Sequence, residues 1–416
     1  MMNHRMLPIL PLCWASACAA LELPRYDDFA QPPHNYWQRT PTDRFTELKA
    51  DLESRRIALD HSSEKAFVSS LLNALEIPAS SQLLVFSTTS LQLSLISTSR
   101  PRAVYFNEDL YLGYVQGGRI EIVSLDPELG GIFYIFDIPR EESPLRIERS
   151  NRCMNCHAAS ETRYVPGLLV KSVLSGPNRG SLDAFRLDDI GHGVPFAERF
   201  GGWYVTGQHS ITNHWGNLTG RLSPEGLTKI PVEPGQQFDW DRYPAATSDI
   251  LPHLLHEHQA GFVNRAVEAS YRSRTYLNAG QGQLNPEQAT ELDKQAHQLT
   301  RYLLFADEAP LPEGGVQGYP AFRQDFQRNK KSAADGSSLK DFDLRTHLFK
   351  HRCSYMIYSS VFQGLPPIMK QRVYRRIRQA LDVNKSEVEF AYLPSAEKGR
   401  IRAILNETLP DLPSGW

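Results

Sequence analysis

Long apolar runs and a strong charge imbalance are both missing from this chain. No stretch of 18 consecutive apolar residues occurs after the first 20 positions, which argues against a transmembrane helix in the mature protein. The chain has 45 Lys and Arg against 47 Asp and Glu, for a formal net charge of −2, and has no basic stripe. That balance disfavours nucleic-acid binding. The sequence predicts a soluble mature protein.

Cysteine is also scarce, with five in 416 residues. Cys13 and Cys18 lie in the N-terminal segment, and Cys153 and Cys156 belong to one short motif. Cys353 is left alone, and its apolar neighbours favour an inert buried thiol over a reactive one.

The first 20 residues have the layout of a secretory signal peptide. A positively charged start is followed by an apolar stretch at residues 6–12 and by small residues at 15–20. Export to the periplasm, or to another site outside the cytoplasm, is therefore expected. Cleavage before Cys18 would leave a lipid-bearing cysteine, but Ala15 stands where a lipoprotein signal usually has Leu, so a lipoprotein is the less favoured alternative.

The motif CMNCH, from Cys153 to His157, has the C-x-x-C-H spacing of a c-type haem attachment site. The two thiols bind the haem vinyl groups, and His157 is the expected proximal iron ligand. A structural zinc site needs further ligands, and only Cys353 remains downstream. The sequence predicts one covalent haem c per chain.

The apolar pattern predicts an α+β fold. Helices are expected at residues 43–56 and 63–76, followed by five or six antiparallel strands between 82 and 138 and a helical C-terminal half from Ser248. Further strands are expected at 167–174 and 202–206, and loops at 175–200 and 207–246. Predicted C-terminal helices start at the capping sequence Asn285-Pro286-Glu287-Gln288 and at 344–362, 366–381 and 395–404.

Four units follow from this pattern. They are a signal peptide at 1–20, a helical lead and antiparallel sheet at 21–140, a loop-rich haem-bearing segment at 141–246, and a helical region at 247–416.

Several stretches together resemble a family of exported, cytochrome c-like bacterial proteins with a single c-type haem motif. The resemblance runs from about residue 60 to 385 and is carried by QLLVFSTTSLQ, RAVYFNEDLYLGYVQGG, CMNCHAAS, VPGLLVKSV, FAERFGGWYVTGQH with HWGN, and RTHLFKHRCSYMIYS. It implies haem binding and periplasmic electron transfer. His209 and His214 match a histidine-bearing hallmark after GGWYVTG, whereas His351 is given no role.

A sixth iron ligand is sought among histidines and methionines. His209 is the first candidate for the distal position and His214 the second, since both follow an aromatic strand. Met356 and Met369 lie in helix-like settings that favour packing. The expectation for His253, His256 and His258 is a solvated helical stripe, with metal binding as the less favoured alternative.

Arginines flank the motif. Arg152 and Arg163 are candidates to pair with the haem propionates, and Arg146 and Arg149 lie nearby. An exposed basic linker is the alternative. Tyr164 and Phe200 are candidates to pack on the porphyrin.

Three functions are compatible with the motif. The first is a monohaem cytochrome that transfers electrons to or from a redox partner protein. The second is a peroxidase-like haem enzyme with an open distal face, using for example His209 and Arg199 for proton transfer and charge stabilisation. The third is a haem-based sensor or binding module.

Overall fold

The computed structural model describes residues 23–139, 143–176, 181–184, 190–385, 387–413 and 415–416. The predicted signal peptide, with Cys13 and Cys18, lies outside the described residues.

Eleven strands are described in these ranges. Their bounds are β1 Leu83–Val85, β2 Arg102–Phe106, β3 Leu110–Tyr114, β4 Arg119–Asp126, β5 Gly130–Asp137, β6 Glu148–Arg149, β7 Val173–Ser175, β8 Ser181–Ala184, β9 Trp203–Tyr204, β10 Leu218–Ser223 and β11 Gly226–Pro231.

Nine α-helices are described in the same part of the chain. Their bounds are α1 Arg44–Glu53, α2 Glu64–Ala74, α3 Met154–His157, α4 Ile250–Ala279, α5 Pro286–Leu303, α6 Pro320–Gln327, α7 Ser360–Gln363, α8 Pro367–Ala380 and α9 Ser395–Thr408.

A seven-stranded antiparallel sheet forms the middle layer, in the order β6-β5-β4-β3-β2-β1-β9. Its longest pairing joins β4 to β5 from Arg119 opposite Asp137 to Asp126 opposite Gly130. Strand β3 is buried along its whole length, so both faces of the sheet are covered. A smaller sheet has the order β11-β10-β7-β8. The predicted α+β class is confirmed.

Two hydrophobic cores lie on opposite faces of the large sheet. On one face, α1 and α2 pack Phe45 and Leu71 against alternate strand residues such as Ile122. On the other face, α4 and the C-terminal helices pack Leu254 and its neighbours against Val104. Because α4 is buried on nearly all sides, it runs through the interior between the sheet and the later helices.

Local sequence signals placed several helix starts correctly. The Ser63 side chain accepts a hydrogen bond from the backbone N–H of Ala66 at the start of α2. Asn285 and Gln288 form the expected capping box at the start of α5. Such caps satisfy backbone donors within one turn, so they do not depend on distant contacts.

Three segments differ from the sequence predictions. The run LQLSLIS at residues 91–97, which lies within the region 82–138 predicted as strands, forms turns, with Leu91 and Leu93 exposed. The predicted helix at 344–362 is mostly loop, with only a 3-10 turn at Tyr355–Tyr358 and the short α7. Loop was predicted at 207–246, but β10 and β11 form a hairpin there.

Two of the shorter predictions also need correction. The strand expected at 167–174 is confined to β7, and that expected at 202–206 to β9. Within the described ranges, no helix is both long and apolar enough to span a membrane.

Candidate haem-binding site

The CMNCH motif occupies a single helical turn that follows β6. Cys153 precedes α3, and the backbone N–H of His157 donates to the Cys153 carbonyl at 3.0 Å. Neither Cys153 nor Cys156 forms a disulfide; the first is partly buried and the second exposed. One helical turn therefore presents both thiols and the imidazole together, as covalent haem attachment requires.

His157 and Gly167 form a reciprocal pair of hydrogen bonds that closes the loop after the motif. The Gly167 N–H donates to the His157 carbonyl at 2.9 Å, and the His157 Nδ1 lies 2.9 Å from the Gly167 carbonyl oxygen. A carbonyl only accepts, so Nδ1 carries the proton. The Nε2 of His157 is then left with a free lone pair, which is the state an iron ligand needs.

Asn264, on the interior helix α4, fixes the backbone that supplies this acceptor. Its Nδ2 donates to the Leu168 carbonyl at 2.9 Å, and its Oδ1 accepts from the Leu168 N–H at 2.8 Å. A Cβ on Gly167 would lie 2.3 Å from the Asn264 Oδ1. Glycine is therefore required at this close approach, and α4 acts as a positioning element for His157.

The surroundings of His157 keep its imidazole neutral. Burial lowers the pKa of His157, and the hydrogen bond to Gly167 only partly opposes that effect. The Phe133 ring on β5 packs against the imidazole with ring centroids 4.7 Å apart. A neutral imidazole is the form that binds iron.

An ion pair on the sheet borders the motif. Arg102 on β2 and Glu121 on β4 lie 2.6 Å apart and are both mostly buried. Burial raises the pKa of the Cys153 thiol; a hydrogen bond with Ser150 opposes this rise, Glu121 adds to it and Arg102 lowers the pKa. Arg102 is thus a cation beside the motif that is already paired with Glu121. Sequence inspection missed it because strand pairing, not proximity in sequence, brings it there.

The arginines predicted from sequence have different settings. Arg152 and Arg146 are exposed, so they remain free to meet a propionate at the surface. Arg163 donates to Glu268 at 3.0 Å. Arg149 donates to the Tyr36 carbonyl at 2.7 Å and lies over the Tyr36 ring, which is a structural role.

His209 and His214 lie together, with ring centroids 5.7 Å apart. Both lie close to His253, near the N-terminal end of α4. Burial lowers the pKa of His253, and the nearby His214 and His209 lower it further. His253 and Asn264 differ by 11 positions on α4, which corresponds to ~16 Å at about 1.5 Å per residue.

These two histidines differ in their hydrogen bonds. The Nδ1 of His214 accepts from the Gly216 N–H at 2.9 Å, so its Nε2 carries the proton. The Nδ1 of His209 is buried with no partner among the described residues. Both histidines thus lie beside the N-terminal end of α4, whereas the His157 loop is held by Asn264 further along that helix. Their distal ligation stays a prediction.

Arg199 does not border an open face. Its side chain is 2% exposed, lies 3.3 Å from Glu257, and donates to the Val194 carbonyl. A guanidinium held in this way is not available to stabilise charge on a substrate. Phe200 is buried against His214, while Tyr164 is half exposed.

The remaining sequence candidates are interior groups. His253, His256 and His258 are buried, not solvated as predicted, because α4 is an interior helix. Cys353 is fully buried, and burial raises its pKa. Met356 and Met369 are both part of the core on the α4 face of the sheet.

No family model, curated protein or solved structure matches the chain. The chemistry of the motif and the geometry around His157 therefore carry the functional argument.

The Asn264 contact gives a first testable prediction. Asn264→Ala leaves the buried N–H and carbonyl of Leu168 without partners, so we expect it to lower the free energy of unfolding by about 2 kcal/mol or more. Chemical denaturation measures this. Asn278→Ala, at an exposed position of the same helix, is the control and should change stability by less than about 0.5 kcal/mol. Equal effects would show that Asn264 has no special role.

Proposed function

We propose that this protein is an exported monohaem c-type cytochrome that transfers electrons. The observation that carries the proposal is the hydrogen-bonded His157, held with Nδ1 protonated beside two free thiols on one helical turn. Haem c bound there would supply a one-electron iron couple. Cys153 and Cys156 would hold its edge, and His157 would be the proximal ligand.

The residues of the chain fit that group in three ways. The Gly167 carbonyl orients the imidazole and increases its basicity. Phe133 fixes the ring plane by packing. Exposed Arg152 provides a cation at the surface, whereas Arg102 within the fold is paired with Glu121. The exposed Cys156 lies at the protein surface, where a redox partner protein would approach the haem edge.

The peroxidase-like alternative named Arg199 as an example of its distal arginine, and that residue is buried against Glu257. The burial of Arg199 therefore favours an electron carrier over a peroxidase-like enzyme. A sensor with an open distal face remains the second candidate, because His209 and His214 lie near the N-terminal end of α4, ~16 Å along that helix from Asn264.

The test is spectroscopy on protein matured in a periplasm that attaches haem. An electron carrier should bind one haem per chain, and its spectrum should titrate reversibly as a single one-electron couple. Carbon monoxide should leave the reduced spectrum unchanged if the iron has two strong ligands. A large carbon monoxide shift with high-spin iron would instead favour the sensor.

A further inference from the structure

Glu308 is a buried carboxylic acid outside the candidate haem site. It lies in the segment that follows α5, and its side chain is only 6% exposed. One carboxyl oxygen, Oε1, accepts a hydrogen bond from the backbone N–H of Leu348 at 2.9 Å. The other oxygen, Oε2, is buried and has no hydrogen-bond partner among the described residues. Ionisation of a carboxyl group in this setting is unfavourable, because the charge has lost water without gaining a full set of donors.

His347 lies beside that second oxygen. Its Nδ1 is 3.8 Å from the Glu308 Oε2, and its side chain is 34% exposed. The Asp343 Oδ2 accepts from the backbone N–H groups of Thr346 at 2.9 Å and His347 at 3.0 Å, so a turn fixes the backbone of His347. Burial lowers the pKa of His347, which favours the neutral ring. A neutral imidazole gives the Glu308 carboxylate no compensating positive charge.

Backbone hydrogen bonds also join the segment after α5 to the segment that contains His347. The Leu311 N–H donates to the Thr346 carbonyl at 3.2 Å, and the Val316 N–H donates to the Leu344 carbonyl at 2.8 Å. These bonds lie a few residues from Glu308 on one segment and from His347 on the other. Glu308 therefore lies within a closely packed interface between two segments of the chain.

Two arginines act on Glu308 from other parts of the fold, and each is paired with a different carboxylate. Arg352 donates to Glu397 of α9 at 2.7 Å. Arg199 lies 3.3 Å from Glu257 of α4. Their positive charges favour ionisation of Glu308, but each charge is already partly balanced by its own partner. Neither arginine forms a salt bridge with Glu308 among the described contacts.

Burial has the largest effect on this group and raises the pKa of Glu308 to about 7. The hydrogen bond from Leu348 and the two arginines oppose this rise, and the Asp343 charge adds to it. A carboxyl group with a raised pKa stabilises the fold fully below its ordinary pKa and loses that contribution as the pH rises through the folded value. For Glu308 the window runs from pH 4.5 to about pH 7.

We propose that Glu308 and His347 form a proton-binding pair that makes the folded chain less stable as the pH rises to neutrality and above. When Glu308 is protonated, Oε2 carries the proton on the side of His347, because Oε1 accepts from Leu348, and no charge is buried. When Glu308 ionises, a buried carboxylate faces a neutral ring. Neither residue belongs to the CMNCH motif, so the proposal is independent of the proposed haem function.

Chemical denaturation of the full chain between pH 5 and pH 8 tests the proposal. Glu308→Gln resembles the protonated side chain, since its amide oxygen can accept from Leu348 and its NH2 group replaces the O–H. We expect the folding equilibrium constant of the wild type to fall by about 50-fold relative to that of this variant across the range. Glu313→Gln, at an exposed position of the same segment, is the matched control and should keep the wild-type pH dependence.

NMR of the folded wild-type chain is the second measurement, and it does not depend on the stability of a variant. The Glu308 carboxyl carbon, assigned with Glu308→Gln, should titrate near pH 7, and the His347 ring signal, assigned with His347→Gln, should move over the same range. A carboxyl that titrates in the ordinary glutamate range, an unmoved His347 ring, or a wild-type pH dependence that persists in Glu308→Gln or is lost equally in Glu313→Gln would each overturn the proposal.

Discussion

Replacing Cys153 and Cys156 together by Ala should leave the purified chain without covalently bound haem. The two thiols are the proposed attachment points, neither is in a disulfide, and both lie on the turn that ends at His157. The expected change is from one haem per chain to none. Haem-dependent peroxidase staining of a denaturing gel and the mass of the intact chain both measure it.

The chain provides its own control for this experiment. Cys353 is fully buried in the core on the α4 face of the sheet, so Cys353→Ala removes a thiol without touching the motif. This variant should keep the haem stain and the added mass. Staining that persists in the double variant, or that is lost in Cys353→Ala, would contradict the assignment of Cys153 and Cys156.

The single variants add detail to the same test. Cys156→Ala removes the exposed thiol and Cys153→Ala the partly buried one. Each should retain at most one thioether, so haem mass should persist with an altered reduced spectrum.

The sequence predicted best those features that are determined within a few residues. The helix start at Ser63 is one of them, and the capping box of Asn285 and Gln288 is another. The alternation of apolar residues along β4 likewise appears in its burial pattern. In each case the deciding contacts lie within one turn or along one strand.

Features set by distant contacts were predicted poorly. The helix expected at 344–362 is largely absent, and Arg352 in that segment is instead bound to Glu397 of α9 at 2.7 Å. The histidines of α4 are buried because the sheet covers one side of the helix and later helices cover the other. The sequence of a helix with polar side chains does not show whether other elements of the fold will bury those side chains.

One missed element did have a local signal. The hairpin of β10 and β11 turns at Ser223-Pro224-Glu225-Gly226, where Gly226 has φ of +122°. Proline and glycine at these positions are typical of a turn, but the polar strands on either side resemble a loop. β11 is mostly exposed, which explains its weak apolar pattern.

The supporting contacts of His157 could not be seen in sequence at all. Gly167 is ten positions away and Asn264 lies on another element, more than 90 residues further on. Gly167 acts through its backbone carbonyl and Asn264 through its side-chain amide. Single hydrogen bonds of this kind leave no recognisable pattern in the sequence. The position of Arg102 beside the motif could not be predicted for the same reason, because it depends on strand pairing.

Substitution of His157 should change the iron environment more than substitution of any other histidine. His157→Ala removes the one imidazole that the structure places on the motif turn, so the haem, if retained by its thioethers, should lose its proximal nitrogen. Optical and paramagnetic resonance spectra should then show a change of spin state, and added imidazole should restore part of the wild-type spectrum.

His209→Ala and His214→Ala are the informative comparisons. Both histidines lie near the N-terminal end of α4, ~16 Å along the helix from the Asn264 that supports the His157 loop. Axial ligands of one iron must lie on its two sides, within direct bonding distance. We therefore expect both variants to keep the wild-type spectrum. A shift to high-spin iron in His209→Ala alone would show instead that its loop closes over the haem, and that its unpartnered Nδ1 marks a ligand.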